Sequence, residues 1–230
     1  MSNVLKLLVF ALAMLSCAKY EELNLDPVPG DEIVDDRPGA DGKPYKTVII
    51  GKQEWMARNL NYSGENKNIG LCYGDDTTKT KPPNKENCDK YGRLYTWIES
   101  VNINDVSCEN NTCSNRISAD HQGICPNGWH LPSETDWMML YNYIGDYGAV
   151  KLKNESGWSV NGTNEYGFSA VAAGFYLNGF QELGSCGAWW SSTENGSLIV
   201  FGFEACKNDE LILASNFAKH SWASVRCVKD

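Results

Sequence analysis

Nine cysteines in 230 residues restrict what this chain can become more than any other feature of its sequence. No two stand as Cys-x-x-Cys, and the three histidines, His121, His130 and His220, are not at zinc-finger spacing from a cysteine pair. A zinc site is therefore not expected, and the sequence assigns neither a metal nor any other cofactor. The remaining use for so many thiols is disulfide bonding, which needs an oxidising compartment. With 42% hydrophobic and 11% aromatic residues the chain has ample material for a packed core. Its net charge of −9 repels nucleic-acid phosphates, so a nucleic-acid partner is not expected.

The N-terminus supplies the compartment. Lys6 precedes an apolar run, Leu7 to Leu15, too short to cross a bilayer, which takes roughly 20 residues. It has the length of the apolar stretch of a secretory signal. Met14-Leu15-Ser16-Cys17 resembles the bacterial lipobox, which implies a signal peptide over residues 1–17 and lipidation of Cys17. Acyl chains would then make the membrane a partner of the mature chain. Ala18, rather than Asp, follows Cys17, which by the same resemblance implies an outer-membrane lipoprotein, surface-exposed or periplasmic. Without Cys17, eight cysteines remain, an even number suited to four bridges.

Residues 18–42 carry eight acidic and two basic side chains and three prolines, Pro27, Pro29 and Pro38. Apolar periodicity is absent. The composition predicts an extended, self-repelling tether. Residues 43–230 follow as one globular domain.

Within that domain, Thr47 to Ile50, a Gly51-Lys52 turn and Glu54-Trp55-Met56 predict a β-hairpin. Leu94, Trp97, Ile98 and Val101 predict a short amphipathic helix over 91–101. A second helix is expected after Ser133, whose spacing to Asp136 makes a capping box, ending at Gly145 or Gly148. Beyond residue 157 short runs such as GFSAVAAGFY, AWWSST, LIVFGF and SVRCV predict strands between long loops.

Eight cysteines allow 105 connectivities. Spacing suggests one of them. Cys72 and Cys88 bracket a polar loop, Cys108 and Cys113 close a tight one, and Cys186 and Cys206 flank two expected strands. Cys125 and Cys227 would then tie the segment before the second helix to the last strand.

The segments GKQEWMARNLNY, CDKYGRLYTW, GICPNGWHLPSETDW, LKNESGW, GTNEYGFSAVAAGF, WWSSTEN and SVRCVKD together resemble the Fibrobacter succinogenes major paralogous domain over roughly residues 42–230. GWHLPSETDW is also similar to a segment of formylglycine-generating-enzyme-like domains. The resemblance implies an α+β, C-type-lectin-like fold: two helices on a small twisted antiparallel sheet, long loops, and chain ends close together. It brings no settled activity.

Three functions follow as expectations. The first is a non-catalytic binding or adhesion module for a polysaccharide or a surface protein. Its contact surface would be the late loops: Asn178, Gln181, Glu182, Trp189, Trp190, Glu194, Asn195, Asn208, Asp209 and Glu210. Indole faces stack on sugar rings and amides bond to hydroxyls, although adjacent residues such as Trp189 and Trp190 point to opposite faces of a strand, so at least one should be core. The second is an oxidoreductase like the formylglycine-generating enzymes. That chemistry needs a reactive cysteine pair near the C-terminus, where this chain has Cys227 alone, and no Ser-His-Asp arrangement is visible, so no catalytic residue is assigned. The third is a structural envelope component without a small ligand. The Glu-Pro-Asn, Gln-Pro-Asp and Trp-Asn-Asp motifs of calcium-dependent lectins are absent.

Overall fold

A computed structural model describes residues 27–66, 68–207 and 211–230 of the chain. The expected signal peptide, Cys17, residues 18–26, and Asn208, Asp209 and Glu210 lie outside the described residues.

Strand β1 (Val28–Pro29) lies antiparallel to β2 (Thr47–Ile50), and β2 returns through Gly51-Lys52 into β3 (Gln53–Met56), the expected hairpin. Helix α1 (Lys85–Tyr91) precedes β4 (Leu94–Thr96) and the five-residue helix α2 (Trp97–Val101). Strand β5 (Trp129–His130) leads into α3 (Glu134–Ile144) and α4 (Gly148–Leu152). The remaining strands are β6 (Phe175–Tyr176), β7 (Phe180–Gln181), β8 (Cys186–Glu194), β9 (Ile199–Cys206), β10 (Leu211–Ala218), β11 (Trp222–Ser224) and β12 (Val228–Lys229). They form a five-stranded sheet, β1-β2-β3-β12-β5, and a seven-stranded one, β10-β9-β8-β11-β6-β7, with β4 also paired to β11.

The architecture is α+β and dominated by sheet. Among the described residues it has four helices and two sheets rather than the two helices and single sheet expected. The helix expected over 91–101 is divided. Leu94, Tyr95 and Thr96 pair with Ser224, Ala223 and Trp222, and helix begins only at Trp97. Thr96 accepts from Glu99 N while Glu99 bonds back to Thr96 N, so this capping box fixes where strand gives way to helix. The second helix starts and stops as its signals indicate: Ser133 and Asp136 form the capping box, and Gly145, with φ +67°, caps the C-terminus.

The tether expected through residue 42 behaves differently from Pro27 onward. Beyond the β1–β2 pairing, Ile33 bridges Tyr45 and Ala40 bridges Tyr62. Asp35 is buried and paired with Arg37, whose guanidinium also donates to the Cys125 carbonyl. Backbone pairing and a desolvated ion pair hold residues 27–42 to the domain, and composition alone gives no sign of either.

Two hydrophobic cores flank the larger sheet. One gathers Trp55, Trp137, Phe168, Trp189 and Phe203, with Trp137 stacked on Phe203 at 4.5 Å between ring centres. The other gathers Tyr45, Tyr95, Trp97, Trp129 and Trp190. Between them Arg226 is fully buried. It donates to Asn59 Oδ1 and to the carbonyls of Met56, Phe168 and Ser169, and lies 4.4 Å from the Phe168 ring. Burial, with the nearby Arg58 charge, pulls its pKa down to about 9.

Four disulfides close the fold: Cys72–Cys88, Cys108–Cys113, Cys125–Cys227 and Cys186–Cys206, the same pairs that spacing suggests. Cys186 and Cys206 sit directly opposite each other on β8 and β9. No helix among the described residues is long and apolar enough to cross a membrane.

Candidate binding surface

The tryptophans and Glu194 of the late-loop surface expected from the sequence are withdrawn from solvent. Trp189 and Trp190 are 1% and 0% exposed. Strand β8 is interior to its sheet, between β9 and β11, and each of its faces is covered by one of the two cores. Alternation therefore sends one indole into each core. Their ring nitrogens are spent internally, Trp189 on Asn59 Oδ1 at 2.8 Å and Trp190 on the Tyr95 carbonyl at 2.6 Å.

Glu194 is likewise withdrawn from solvent. Its carboxylate accepts from Cys113 N at 2.8 Å and from Lys219 Nζ at 2.5 Å, and Lys219 also donates to the carbonyls of Cys108 and Asn111. The pair anchors the small Cys108–Cys113 loop. Asn195 is exposed and donates to Asn216. Asn178 and Gln181 are exposed too, but on the β6–β7 hairpin before β8, whereas Asn195 follows β8. The two places are linked by one small depression, which Leu177 of the hairpin lines together with Asn216, the partner of Asn195. Asn178 occupies a left-handed turn position (φ +56°), which Asn tolerates, and Gln181 donates to the Leu177 carbonyl at 2.7 Å.

The hairpin carrying Asn178 and Gln181 displays a different aromatic set. Trp222, Tyr176, Phe180 and Tyr73, all half-buried, follow one another with ring-centre distances of 6.4, 5.1 and 4.8 Å. Register explains the order. Tyr176 pairs with Phe180 across the hairpin and with Trp222 on β11. Gly174, at φ +63°, brings Tyr73 in: a Cβ there would stand 2.9 Å from the Tyr73 ring and 2.2 Å from the Gln181 carbonyl. Phe175, Leu177, Phe217 and Trp222 line a small depression of about 70 Å³ on one flank.

On the other flank Lys79 joins the aromatic strip to a polar cleft. Its Nζ lies 5.4 Å from the Trp222 ring centre, a cation–π distance, and Lys79 also lines a recess of about 110 Å³ with Asp75, Asp76, Lys81, Pro83 and Arg93. Pro83 and Arg93 are shared with a larger cavity of about 280 Å³, whose walls include Asp41, Asn61, Ser63, Lys85 and Asp89 beside the Cys72–Cys88 bridge. Together these features offer ring faces for stacking and amides, hydroxyls and charges for hydrogen bonding. None of Trp222, Tyr176, Phe180, Tyr73 or Arg93 belongs to the surface expected from the sequence.

Two other clusters bear on catalysis. His130 is not isolated: its Nδ1 is 2.9 Å from Asp230 Oδ1 and its Nε2 is 3.5 Å from Asp136 Oδ2. Ser133 Oγ donates to Asp136 at 2.6 Å rather than to the histidine, so the Ser-His contact of a hydrolase triad does not form. Cys186, Glu204 and Cys206 place their ligand-type atoms within 4.8 Å of one another, but both sulfurs are bridged and cannot act as thiolate ligands. Burial, reinforced by the Glu182 charge, raises the Glu204 pKa despite its Ser215 hydrogen bond. Cys227, the cysteine nearest the C-terminus, is bonded to Cys125, so its thiol cannot open an oxidase-type reaction.

Compared with known proteins, the chain matches the family described as the Fibrobacter succinogenes major domain over residues 48–229. No curated protein and no solved structure matches.

Proposed function

Because the chain belongs to the Fibrobacter succinogenes major domain family, whose description names no reaction, we propose that it is a non-catalytic surface module that contacts polysaccharide through the strip Trp222–Tyr176–Phe180–Tyr73. The observation that carries this reading is the strip itself: four half-buried rings in sequence, continuous through Lys79 with a cleft rich in polar groups. Sugars present apolar ring faces and rims of hydroxyls, and a surface that holds them needs both kinds of partner.

The same reading assigns the domain a C-type-lectin-like fold. Supporting it are the placement of β1 and β12, at opposite ends of the described chain, in one five-stranded sheet and the contact of α3 with strands of the other. It also places the protein in the outer membrane, with residues 1–17 as its signal peptide and Cys17 as the lipidated residue. The Cys17→Ser variant should then move from the membrane fraction to the soluble one, and its retention in membranes would remove the anchor from the account.

The binding test is retention of the chain on insoluble or immobilised polysaccharides, compared with Trp222→Ala and Tyr176→Ala. Each substitution should weaken retention, by about 0.5–1.5 kcal/mol for one stacking partner, while thermal unfolding stays cooperative. If no polysaccharide retains the unsubstituted protein, the reading fails and a structural envelope role takes its place.

A further inference from the structure

We propose that the cleft beside the aromatic strip selects acidic polysaccharide, with the Arg93 guanidinium receiving a uronate carboxylate while neighbouring sugar faces rest on the strip. This rests on the preceding reading of the surface and narrows its ligand to a charge class.

The argument begins with Arg93. The residue is half-buried between α1 and β4, at the wall common to the two cavities. A guanidinium carries five N–H donors. Here the Nε is buried and makes no hydrogen bond, and Nη1 reaches only the carbonyls of Ile69 and Gly70, at 3.5 and 3.4 Å. An under-used buried arginine donor is costly unless a ligand or solvent supplies the acceptor.

The carboxylates around it are committed elsewhere. Asp75 accepts from the backbone nitrogens of Cys72, at 2.7 Å, and Asn84, at 2.6 Å. Asp76 accepts from Thr80 and Thr78, and those hydrogen bonds hold its pKa down to about 2. Asp41 is paired with Arg58 and Asp89 with Lys85. Lys81, in contrast, makes no hydrogen bond or close ion pair among the described residues and acts on Asp76 only at longer range, whereas Lys79 donates to the Asn68 carbonyl at 2.5 Å and lies 3.5 Å from Glu99. The oxygens of these acids are thus engaged by internal donors, although Asp75 and Asp76 keep their negative charge because those donors are uncharged, and the least-engaged donors of the recess belong to Arg93 and Lys81. A planar guanidinium fits a carboxylate through two parallel hydrogen bonds, an arrangement a sugar hydroxyl cannot offer. The adjoining cavity of about 280 Å³ is at the low end of small-molecule sites, roughly 300–1,000 Å³, as suits one sugar residue of a longer polymer.

The experiment compares retention of the full chain on polygalacturonate, on the same polymer with its carboxyls methyl-esterified, and on a neutral β-glucan. The unsubstituted protein should favour the acid form over the ester at least tenfold, and added salt should erode that preference. In Arg93→Met the ratio of the two affinities should fall towards one. Lys81→Met alters an unpaired side chain without opening a core, so its lowered ratio guards against misfolding of the arginine variant. Equal retention of acid and ester forms, or an undiminished ratio in both variants, overturns the charge selection while leaving neutral-sugar stacking intact. Retention of none of the three polymers overturns the polysaccharide reading, and this inference with it.

Discussion

His130 is 4% exposed and flanked by Asp136 and Asp230. Burial alone would lower its pKa, but the two carboxylates outweigh burial and the net shift is upward. Asp136 shows the converse: burial would raise its pKa, yet His130 and Ser133 bring it below the usual value. The signs of the stability contributions follow. The charged imidazolium contributes fully below the unfolded-state histidine pKa, about 6.5, and its contribution disappears as pH rises through the higher folded value. The Asp136 contribution is present above the unfolded-state aspartate pKa, about 3.9, and is lost as pH falls through the lower folded value. The midpoint of denaturant unfolding should therefore decline as pH rises above about 6.5, and His130→Gln should flatten that decline. Equal slopes in the two proteins would show that the contact does not govern the pH response. At the same scale, Arg226 shows a cation satisfied by carbonyls and one amide oxygen, with no carboxylate reaching it among the described residues.

At the scale of elements, the parts legible in the sequence are those whose causes are local. The β2–β3 hairpin needs its own turn, and α3 needs Ser133, Asp136 and Gly145; loss of such an N-cap costs about 0.5–2 kcal/mol. Where the cause is remote, reading fails. Leu94, Trp97, Ile98 and Val101 have helical spacing, but pairing with β11 draws Leu94–Thr96 into sheet. Helix α1 buries only Cys88, so no apolar face announces it, and its start is set by the Asn84 side chain accepting from Asn87 N. Strand β10 was not visible as a sequence signal, and its place comes from β9, with which it pairs along Leu211–Ala218. The candidate surface obeys the same rule. Adjacent tryptophans at 189 and 190 are conspicuous in sequence, but covering of both faces of β8 is a tertiary fact. The rings that do line up stand at 73, 176, 180 and 222, and only strand register and the close approach at Gly174 assemble them.

For the molecule as a whole, the disulfides span sequence separations of 5, 16, 20 and 102 residues. Constraint of the unfolded chain grows with loop length, from about 2 kcal/mol for the smallest bridge to about 4.7 kcal/mol for the longest. The Cys125→Ser/Cys227→Ser protein should therefore lose clearly more unfolding free energy than Cys108→Ser/Cys113→Ser, as measured by denaturant titration. The reverse order would mean that local contacts, not chain closure, set the value of each bridge. The longest bridge also holds the end of the chain to its middle, just before β12, whose Lys229 reaches Glu54 and Asp31. Strand β1 enters at the edge of this sheet, joined to β2 through two residue pairs. That edge strand is the outermost element by which the described chain begins. A pull applied at Pro27 would therefore yield at this two-pair edge strand before it reached the disulfide-closed part of the fold.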